Sequence, residues 1–492
     1  MKILLVYPES PNTFWSLKRA LRFVSKKSSE PPLGLLTVAS ILPVTWEKRL
    51  VDMNVTRLRD KDITWADYVF ISGMDIQKDS FISVVARCND LGVKVVAGGP
   101  ISTTNYRDLT GIDHFILNEA EITLPEFLAD LKNGTTKPVY TTTQFPELTS
   151  TPLPSWDLLD MKKYATMDVQ YSRGCPFDCE FCSITSLYGR KPRTKGTEQF
   201  IRELESLYTT GWKGAVFIVD DNFIGNKKKL KTELLPALIE WSESRNYPFD
   251  FTTEVSINLS DDEELMQMMI KAGFRSTFIG IETPDEASLL ECNKAQNQGR
   301  NMLNSVHTLQ ENGFNVTGGF IVGFDNDKPD IFDRQIRFIQ ESGIATAMVG
   351  LLNAPVGTRL FNRLKKENRI TEEFNGNNVD ASLNFKPKME KETLVEGYKN
   401  ILRSIYSQKA YFERLRTFLS RYRHPDVLPT RLDFSNIRAL FRAIWVMGFL
   451  EKGKRFFWKL IFFVLKDNPA KLPQAVRMAI YGFHFRKIAE AI

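Results

Sequence analysis

Short apolar runs alternate with longer mixed stretches along the first part of the chain. Apolar β-strands are predicted at 2–8, 47–55, 65–74, 93–100 and 114–121. The stretches 31–43 and 80–92 are predicted helices, and the second is amphipathic and ends at a glycine. Such alternation is typical of a parallel, doubly wound sheet, so we expect an α/β domain at 1–137. Ligands of such sheets bind at the carboxyl ends of the strands.

A second alternating series follows a Pro- and Thr-rich segment, 138–165, which is predicted to be a linker. Helical stretches such as 197–211 separate six further strands. These strands are predicted at 168–174, 214–222, 249–257, 276–284, 316–325 and 345–353. Six such units predict a (βα)6 partial TIM barrel at 166–385, with its chemistry at the C-terminal mouth. The strand pattern then ends, and 386–492 is predicted to be helical.

Composition narrows the class of protein. Apolar residues make up 43% of the 492 residues and charged residues 25%, which is ordinary for a globular chain. The net charge of +6 is small, and no basic motif with interleaved aromatic residues is present, so nucleic-acid binding is not expected. Neither a signal segment nor a run of 18 uncharged apolar residues is found. The five cysteines are too few for a secreted disulfide scaffold. With no signal segment found, they favour a reduced, cytoplasmic location.

The strongest chemical signal is the segment YSRGCPFDCEFCSI, which places Cys175, Cys179 and Cys182 at C-x3-C-x2-C spacing after a predicted strand. Three thiolates on one loop can bind three irons of a cubane cluster, which leaves the fourth iron open to a small molecule. A zinc site is the main alternative. Zinc prefers four ligands, and neither His114 nor Cys292 lies nearby in sequence.

This motif resembles the radical S-adenosylmethionine (SAM) superfamily. The resemblance implies a [4Fe–4S] cluster whose open iron binds SAM and yields a 5′-deoxyadenosyl radical. It also implies SAM contacts after the second strand, at the ends of the third and fourth strands, and along a glycine-rich fifth strand. The contacts after the second strand are Asp220, Asp221 and Asn222. Glu254 ends the third strand and Glu282 the fourth, and Gly318 and Gly319 lie on the fifth. The alternative is that such polar residues only cap helices or face solvent.

The N-terminal domain resembles the Rossmann-like, cobalamin-binding domain of cobalamin-dependent radical SAM enzymes. The D-x-H-x-x-G signature is absent, because the first loop reads YPESPNTFW, so no histidine of that motif is available to cobalt. Cobalamin contacts are expected where strands end, with Met74 and Gln77 as candidates below the cobalt. The expected contacts are Asp52, Asn54, Ser72, Met74, Gly98, Gly99 and Glu119. A degenerate domain with ordinary tight turns is the alternative.

The order of motifs over 1–360 resembles cobalamin-dependent radical SAM methylases of the hopanoid C-2 methylase type and the bacteriochlorophyll methylase type. The resemblance implies a class B C-methyltransferase for an unactivated carbon of an apolar or ring-containing molecule, such as a lipid, terpenoid or tetrapyrrole. A flavodoxin- or ferredoxin-type protein would supply electrons. Two alternatives stay open: an oxidative cyclase or rearrangement enzyme with the same cofactors, and a non-catalytic cobalamin or redox sensor.

The C-terminal region combines aromatic and basic residues. The stretches 455–466 and 475–488 are amphipathic, and twelve Lys or Arg face four acids after residue 430. This pattern fits either peripheral contact with an anionic membrane or a helical cap with a basic outer face. Several other residues are expected to have minor roles. Cys88, His307, His424 and His484 are expected in packing or at the surface, and Cys292, Lys294, Gln296 and Asn297 near the barrel mouth.

Overall fold

The computed structural model describes residues 1–425 and 434–492. The stretch 426–433, within the predicted helical region, lies outside the described residues. Among the described residues, no helix is both long and apolar enough to cross a membrane.

The N-terminal sheet contains six parallel strands. They are Lys2–Tyr7, Glu47–Asp52, Tyr68–Ser72, Lys94–Gly98, His114–Ile116 and Val139–Tyr140. The first strand lies between the second and the third, and the others follow outward in chain order. This order creates a switch point between Lys2–Tyr7 and Tyr68–Ser72, where ligands of doubly wound sheets bind.

Helices cover both faces of this sheet. They are Leu33–Ile41, Asp60–Ile63, Lys78–Asp90, Gly99–Asn105 and Ala120–Asn133. The short helix Lys18–Leu21 instead packs against the C-terminal region. Alternate residues of the central strands enter two separate cores, with Leu4 and Ile71 in one and Ile3 and Phe70 in the other. Because both faces are buried, the strands are apolar throughout rather than alternating.

Two details differ from the sequence expectations. The segment 138–165 was expected to be a linker, yet it contributes the sixth strand, Val139–Tyr140, beside His114–Ile116. The strand predicted at 93–100 ends at Gly98, because a helix begins at Gly99 with Pro100 in its first turn. Proline is favoured there because the first helical N–H groups have no partner within the helix.

The second sheet also contains six parallel strands, hydrogen-bonded in chain order. They are Met167–Val169, Gly214–Ile218, Phe249–Glu254, Phe274–Glu282, Asn315–Val322 and Thr346–Leu351. The helices that separate and follow them are Thr197–Thr209, Leu235–Ser244, Glu263–Ala272, Glu286–Glu291, Met302–Glu311, Ile331–Ser342 and Arg359–Lys366. The predicted (βα)6 unit is therefore confirmed, and all six carboxyl ends lie at one mouth.

The last part of the chain is helical, as predicted. Its helices are Lys391–Ile405, Gln408–Arg421, Phe434–Ala443, Lys454–Asp467 and Leu472–Ala489, and a wider helical segment, Ile444–Leu450, follows the third. The last helix packs on the barrel and on the N-terminal loop, where the rings of Phe14 and Phe485 lie 5.2 Å apart. The C-terminal helices therefore fasten the N-terminal domain to the barrel.

Candidate active site

The cysteine loop, residues 174–183, lies between the two-residue strand Ser172–Arg173 and the helix Ile184–Tyr188. It carries Cys175, Cys179 and Cys182, all as free thiols. Burial raises the pKa of the Cys182 thiol to about 12 and raises the pKa of Cys175 as well. Enclosed thiols of this kind become thiolate ligands only when a positive metal centre stabilises the anion.

Two aspartates hold the backbone that leads into the cysteine loop. Asp220 accepts hydrogen bonds from the backbone N–H groups of Tyr171 and Ser172 at 2.8 and 2.7 Å and from the Ser172 hydroxyl at 2.6 Å. Asp221 accepts one from the Gly174 N–H at 2.9 Å. The resemblance implied SAM contacts for both carboxylates. Because Asp220 is buried and both of its oxygens accept hydrogen bonds from residues 171 and 172, its role in the structure is to shape the loop.

Gly174 enters the cysteine loop with a φ of +91°, which favours glycine. A Cβ atom at this position would lie 2.9 Å from the carbonyl oxygen of Gly189. Any other residue would therefore displace the start of the cysteine loop.

Two buried amides approach the sulfurs. The Asn222 Nδ2 lies 3.8 Å from the Cys175 Sγ, and the Gln296 Nε2 lies 3.7 Å from the Cys179 Sγ. Amide donors at this distance stabilise thiolates and orient them as ligands. Asn222 therefore lies at the predicted site, although its amide faces a cysteine and Ser256 in this structure.

A buried ion pair lies beside the same loop. The Lys294 Nζ is 2.6 Å from the Glu282 Oε1. Burial opposes the charged form, but the charges of Glu282, Cys179 and Cys182 raise the pKa of Lys294 above its ordinary value. A permanent cation therefore faces the thiols. The sequence placed Lys294 near the mouth without assigning it this contact.

The donor set fits an iron–sulfur cluster better than a single ion. Within residues 1–425 and 434–492, no three His, Cys, Asp or Glu side chains converge as ligands of one metal ion. A cubane cluster does not need such convergence, because each cysteine binds a different iron. Three thiols on one loop, two amide donors and a buried lysine are the environment that such a cluster uses.

The other predicted barrel carboxylates end neighbouring strands. Glu254 is the last residue of Phe249–Glu254, and burial, followed by the charges of Asp221 and Glu30, raises its pKa to about 8. Glu282 ends the next strand with a φ of +62°, at a shift in strand register. Asn297 donates hydrogen bonds to the carbonyls of residues 280 and 281 and so fixes this strained end.

Gly318 and Gly319 lie in the middle of the strand Asn315–Val322. A Cβ atom at Gly318 would lie 2.8 Å from the Phe320 ring, and one at Gly319 would lie 3.0 Å from the Phe278 ring. Packing against these rings therefore favours glycine at both positions, even without a ligand. Contact with adenine at this strand stays a prediction.

Two of the predicted cobalamin contacts form an internal network. Asp52 is buried and accepts hydrogen bonds from the Tyr164 hydroxyl and from the Asn54 backbone and side chain. The Asn54 side chain also bonds to Pro8 and Ser10 in the first loop. These residues shape the crevice at the switch point, and their polar atoms are already paired.

Gly98 and Gly99 have internal packing reasons to be glycine. A Cβ atom at Gly98 would lie 3.0 Å from the carbonyl oxygen of Ile116, and one at Gly99 would lie 2.2 Å from the Ser72 hydroxyl. Gly99 also has a φ of +81°. Close approach of a ligand is thus not needed to explain either glycine.

Met74 and Gln77 lie just beyond the third strand. Met74 is 51% exposed, whereas Gln77 is buried, accepts from the Met74 N–H at 2.9 Å and donates to the Pro8 carbonyl at 2.6 Å. Gln77 is therefore committed to holding the first loop. Of these two residues, only Met74 has an exposed side chain.

Glu119 differs most from expectation. It was expected near cobalamin, but its carboxylate is buried and bonds to Arg193 at 2.7 Å and to Arg173 at 2.6 Å. Glu121 adds a second contact to Arg173 at 2.8 Å. Both arginines belong to a two-stranded antiparallel pair, Ser172–Arg173 with Arg193–Thr194, and the cysteine loop lies between these strands in sequence. The acidic pair therefore joins the N-terminal domain to this loop.

Sequence reasoning missed a carboxyl pair at the junction of the two domains. Asp168, in the first barrel strand, is buried, and its Oδ1 has no hydrogen-bond partner. Burial and the charge of Glu30 raise the pKa of Asp168 well above its ordinary value. The available signal was weak: an aspartate within an apolar strand and a glutamate before two prolines.

The remaining cysteines and histidines make packing contacts. Cys88 is fully buried in the N-terminal domain, and Cys292 is buried beside the cysteine loop, where its carbonyl accepts from the Glu180 N–H. His307 bonds to the Glu341 carbonyl, and His484 to the Thr13 carbonyl. These placements agree with the sequence expectations.

Comparison with known proteins identifies the class that this fold and loop define. A family model described as the radical SAM superfamily matches residues 169–339, and a domain of unknown function, DUF4070, matches 358–492. The chain has the fold of TsrM from Kitasatospora setae, described as a radical S-adenosylmethionine methyltransferase with cobalamin and a [4Fe–4S] cluster bound. That match has a TM-score of 0.60, 13% identity, and covers 100% of this chain and 99% of TsrM.

Sequence relatives define the family more closely. The chain is 41% identical to an uncharacterized methyltransferase of Synechocystis sp., over 100% of this chain and 92% of the relative. It is 33% identical to hopanoid C-2 methylase of Rhodopseudomonas palustris, over 93% of this chain and 88% of the relative. The chain belongs to the radical SAM methyltransferase family that includes hopanoid C-2 methylase, and the predicted enzyme class is confirmed.

Proposed function

We propose that this enzyme is a cobalamin-dependent radical SAM methyltransferase that methylates an unactivated carbon of an apolar or ring-containing molecule. The lipid, terpenoid and tetrapyrrole classes are the proposed substrates. The identity to hopanoid C-2 methylase over 93% of the chain carries the proposal. The three thiols at the barrel mouth supply the chemical support.

The cluster would be held by Cys175, Cys179 and Cys182. Asn222 and Gln296 would donate hydrogen bonds toward two of the sulfurs, since their amides already lie within 4 Å of them. When bound, the cluster and SAM supply a carbon radical that takes hydrogen from substrate, and cobalamin supplies the methyl group. The chain itself would bind, orient and shield these groups.

For SAM we propose Glu254 and Glu282 as polar contacts, with the backbone of Gly318 and Gly319 against the adenine. Both carboxylates end strands at the mouth, next to the cysteine loop. Glu254 has an elevated pKa because it is buried, so a cationic ligand at this place would favour its ionised form.

For cobalamin we propose the crevice at the switch point of the N-terminal sheet. Tyr7 and Ser72 end the two strands that flank it, and Met74 presents an exposed side chain beside it. The internal bonds of Asp52, Asn54 and Gln77 would keep the crevice in a fixed shape. Fixed polar walls reduce the reorganisation needed on binding.

The remaining expectations form part of this proposal. The electron donor would be a flavodoxin- or ferredoxin-type protein, and the enzyme would work in the cytoplasm with peripheral contact to a membrane. Substrate would lie between the two domains, near Glu30 and Asp168, whose charges interact.

Labelled SAM tests the proposal. The anaerobically reconstituted protein, with a chemical reductant and cobalamin, would be incubated with methyl-deuterated SAM and extracts of isoprenoid lipids or pigments. We expect deoxyadenosine and a product that carries the labelled methyl group, both lost in Cys179→Ala. Deoxyadenosine with an unlabelled, oxidised product would favour a cyclase instead. Absence of deoxyadenosine from wild-type protein would favour a sensor.

A further inference from the structure

Exposed apolar side chains concentrate on two C-terminal helical segments. Of the fifteen large apolar residues that are exposed in the described part of the chain, seven lie between 437 and 465. Four of them recur at every fourth position along Phe434–Leu450, with exposed fractions of 43% to 67%. They are Ile437, Phe441, Trp445 and Phe449. Residues four apart lie on one side of a helix, so these side chains form one stripe.

The next helix, Lys454–Asp467, extends this stripe. Ring centroids lie 6.2 Å apart for Trp445 and Phe449, 6.0 Å for Phe449 and Trp458, and 6.2 Å for Trp458 and Phe462. We call the side chains of Ile437, Phe441, Trp445, Phe449, Phe462 and Leu465 the aromatic face. Contiguous exposed apolar surface of this kind marks interaction sites in folded proteins.

The helices below the aromatic face are firmly packed. Their inner sides, including Ala443, Met447 and Ile461, form a core with Ala20 and Phe23 of the N-terminal domain. Arg442 bonds to the carbonyl oxygen of Arg22 at 2.8 Å. The aromatic face is thus the outer side of an anchored element, and its exposure does not result from a loose chain end.

The charges around the aromatic face indicate what kind of partner it binds. Residues 437–466 contain seven Lys or Arg and only one acid, Glu451, and Glu451 is paired with Arg486 at 2.6 Å. The excess of six positive charges equals the net charge of the whole chain. Lys452, Lys454 and Lys459, in the same segment of the chain, are exposed. Aromatic residues flanked by basic residues are the pattern of surfaces that lie in the headgroup region of anionic bilayers.

We propose that the aromatic face docks this enzyme onto an anionic lipid bilayer, with its rings at the headgroup boundary. Self-association is disfavoured because two copies would bring their positive charges together. Two stretches, 455–466 and 475–488, were expected to touch lipid. The structure favours the first of them, together with residues 437–450. The other, 475–488, lies on a helix with many buried side chains.

Vesicle sedimentation tests this surface with the full-length reconstituted protein. We expect wild-type protein to sediment with vesicles of phosphatidylcholine and phosphatidylglycerol, and much less with phosphatidylcholine alone or at high salt. Trp445→Ser and Phe441→Ser should each lower the partition coefficient on anionic vesicles by about tenfold. Ile82→Ser and Leu290→Ser are matched controls, since both side chains are comparably exposed elsewhere.

Three results would overturn the proposal: no binding of wild-type protein to anionic vesicles, equal binding by Trp445→Ser, or a wild-type dimer that Phe441→Ser converts to monomer. Deoxyadenosine formation in lipid-free buffer, measured on the same samples, separates docking from catalysis. We expect Trp445→Ser to retain it. Wild-type protein that binds vesicles but forms no deoxyadenosine would contradict the proposed function and leave the docking surface supported.

Discussion

The ammonium group of Lys294 lies 2.6 Å from the carboxylate of Glu282, and both side chains are almost fully buried beside the cysteine loop. A buried ion pair usually costs desolvation energy that its attraction only partly offsets. Here the ammonium group also lies close enough to Cys179 and Cys182 that their thiolate forms raise the pKa of Lys294. The ammonium end of this ion pair therefore lies near the sulfurs that must become anionic thiolates.

Replacing Lys294 should weaken the metal site. We expect Lys294→Gln to lower iron retention after anaerobic reconstitution and to lower deoxyadenosine formation by about 10–100-fold, as for other groups that support metal ligands. Lys231→Gln is the control, because Lys231 pairs with Asp262 and Glu264 away from the cysteine loop. Iron content and turnover equal to wild type would show that Lys294 does not support the cluster.

The cysteine loop and both sheets could be predicted from sequence because their signals are local. Apolar runs define the strands, and three cysteines within eight residues define the cluster motif. The Lys294–Glu282 contact could not be predicted, because it forms only when the register of the strand Phe274–Glu282 brings the two residues together at the mouth. The ion pairs of Glu119 could not be predicted either, since Arg173 and Arg193 lie more than fifty residues away in sequence.

The assignment of the thiols can be tested with two buried cysteines in different surroundings. We expect Cys179→Ala to lose most of the iron and all detectable SAM cleavage, because a missing thiolate leaves one iron without its protein ligand. Cys88→Ala, in the core of the N-terminal domain, should keep both. Iron content and the visible absorbance of the cluster provide the measurement. A Cys179→Ala protein with a normal cluster spectrum would contradict the assignment.

The interdomain ion pairs should contribute to stability. Arg193 makes two hydrogen bonds to Glu119, at 2.7 and 3.1 Å, in a buried setting. Since Arg173 would remain as a partner, we expect Arg193→Ala to lower the free energy of unfolding by about 1–3 kcal/mol. Urea unfolding followed by both fluorescence and circular dichroism would measure it.

The control for Arg193 is an exposed pair. Arg403→Ala removes a contact with Glu396 in which both side chains are largely solvent-exposed, and the change should stay within about 0.5 kcal/mol. Equal effects of the two variants would mean that the buried pair adds nothing beyond an ordinary surface contact.

The junction carboxyls should make stability depend on pH. Burial, together with the charge of Glu30, raises the pKa of Asp168 in the folded protein above its ordinary value of 3.8. The folded state therefore binds more protons than the unfolded state once the pH rises above about 4, so this group lowers the free energy of unfolding as pH increases. Asp168→Asn removes the ionisation and keeps the shape of the side chain.

We expect Asp168→Asn to raise the melting temperature at about pH 8 and to leave it nearly unchanged at about pH 4, where Asp168 is protonated in the folded state. Calorimetry of the metal-free protein across this range is the measurement, with Asp108→Asn at an exposed position as control. An equal shift at both pH values would show that packing, and not the buried charge, controls the effect.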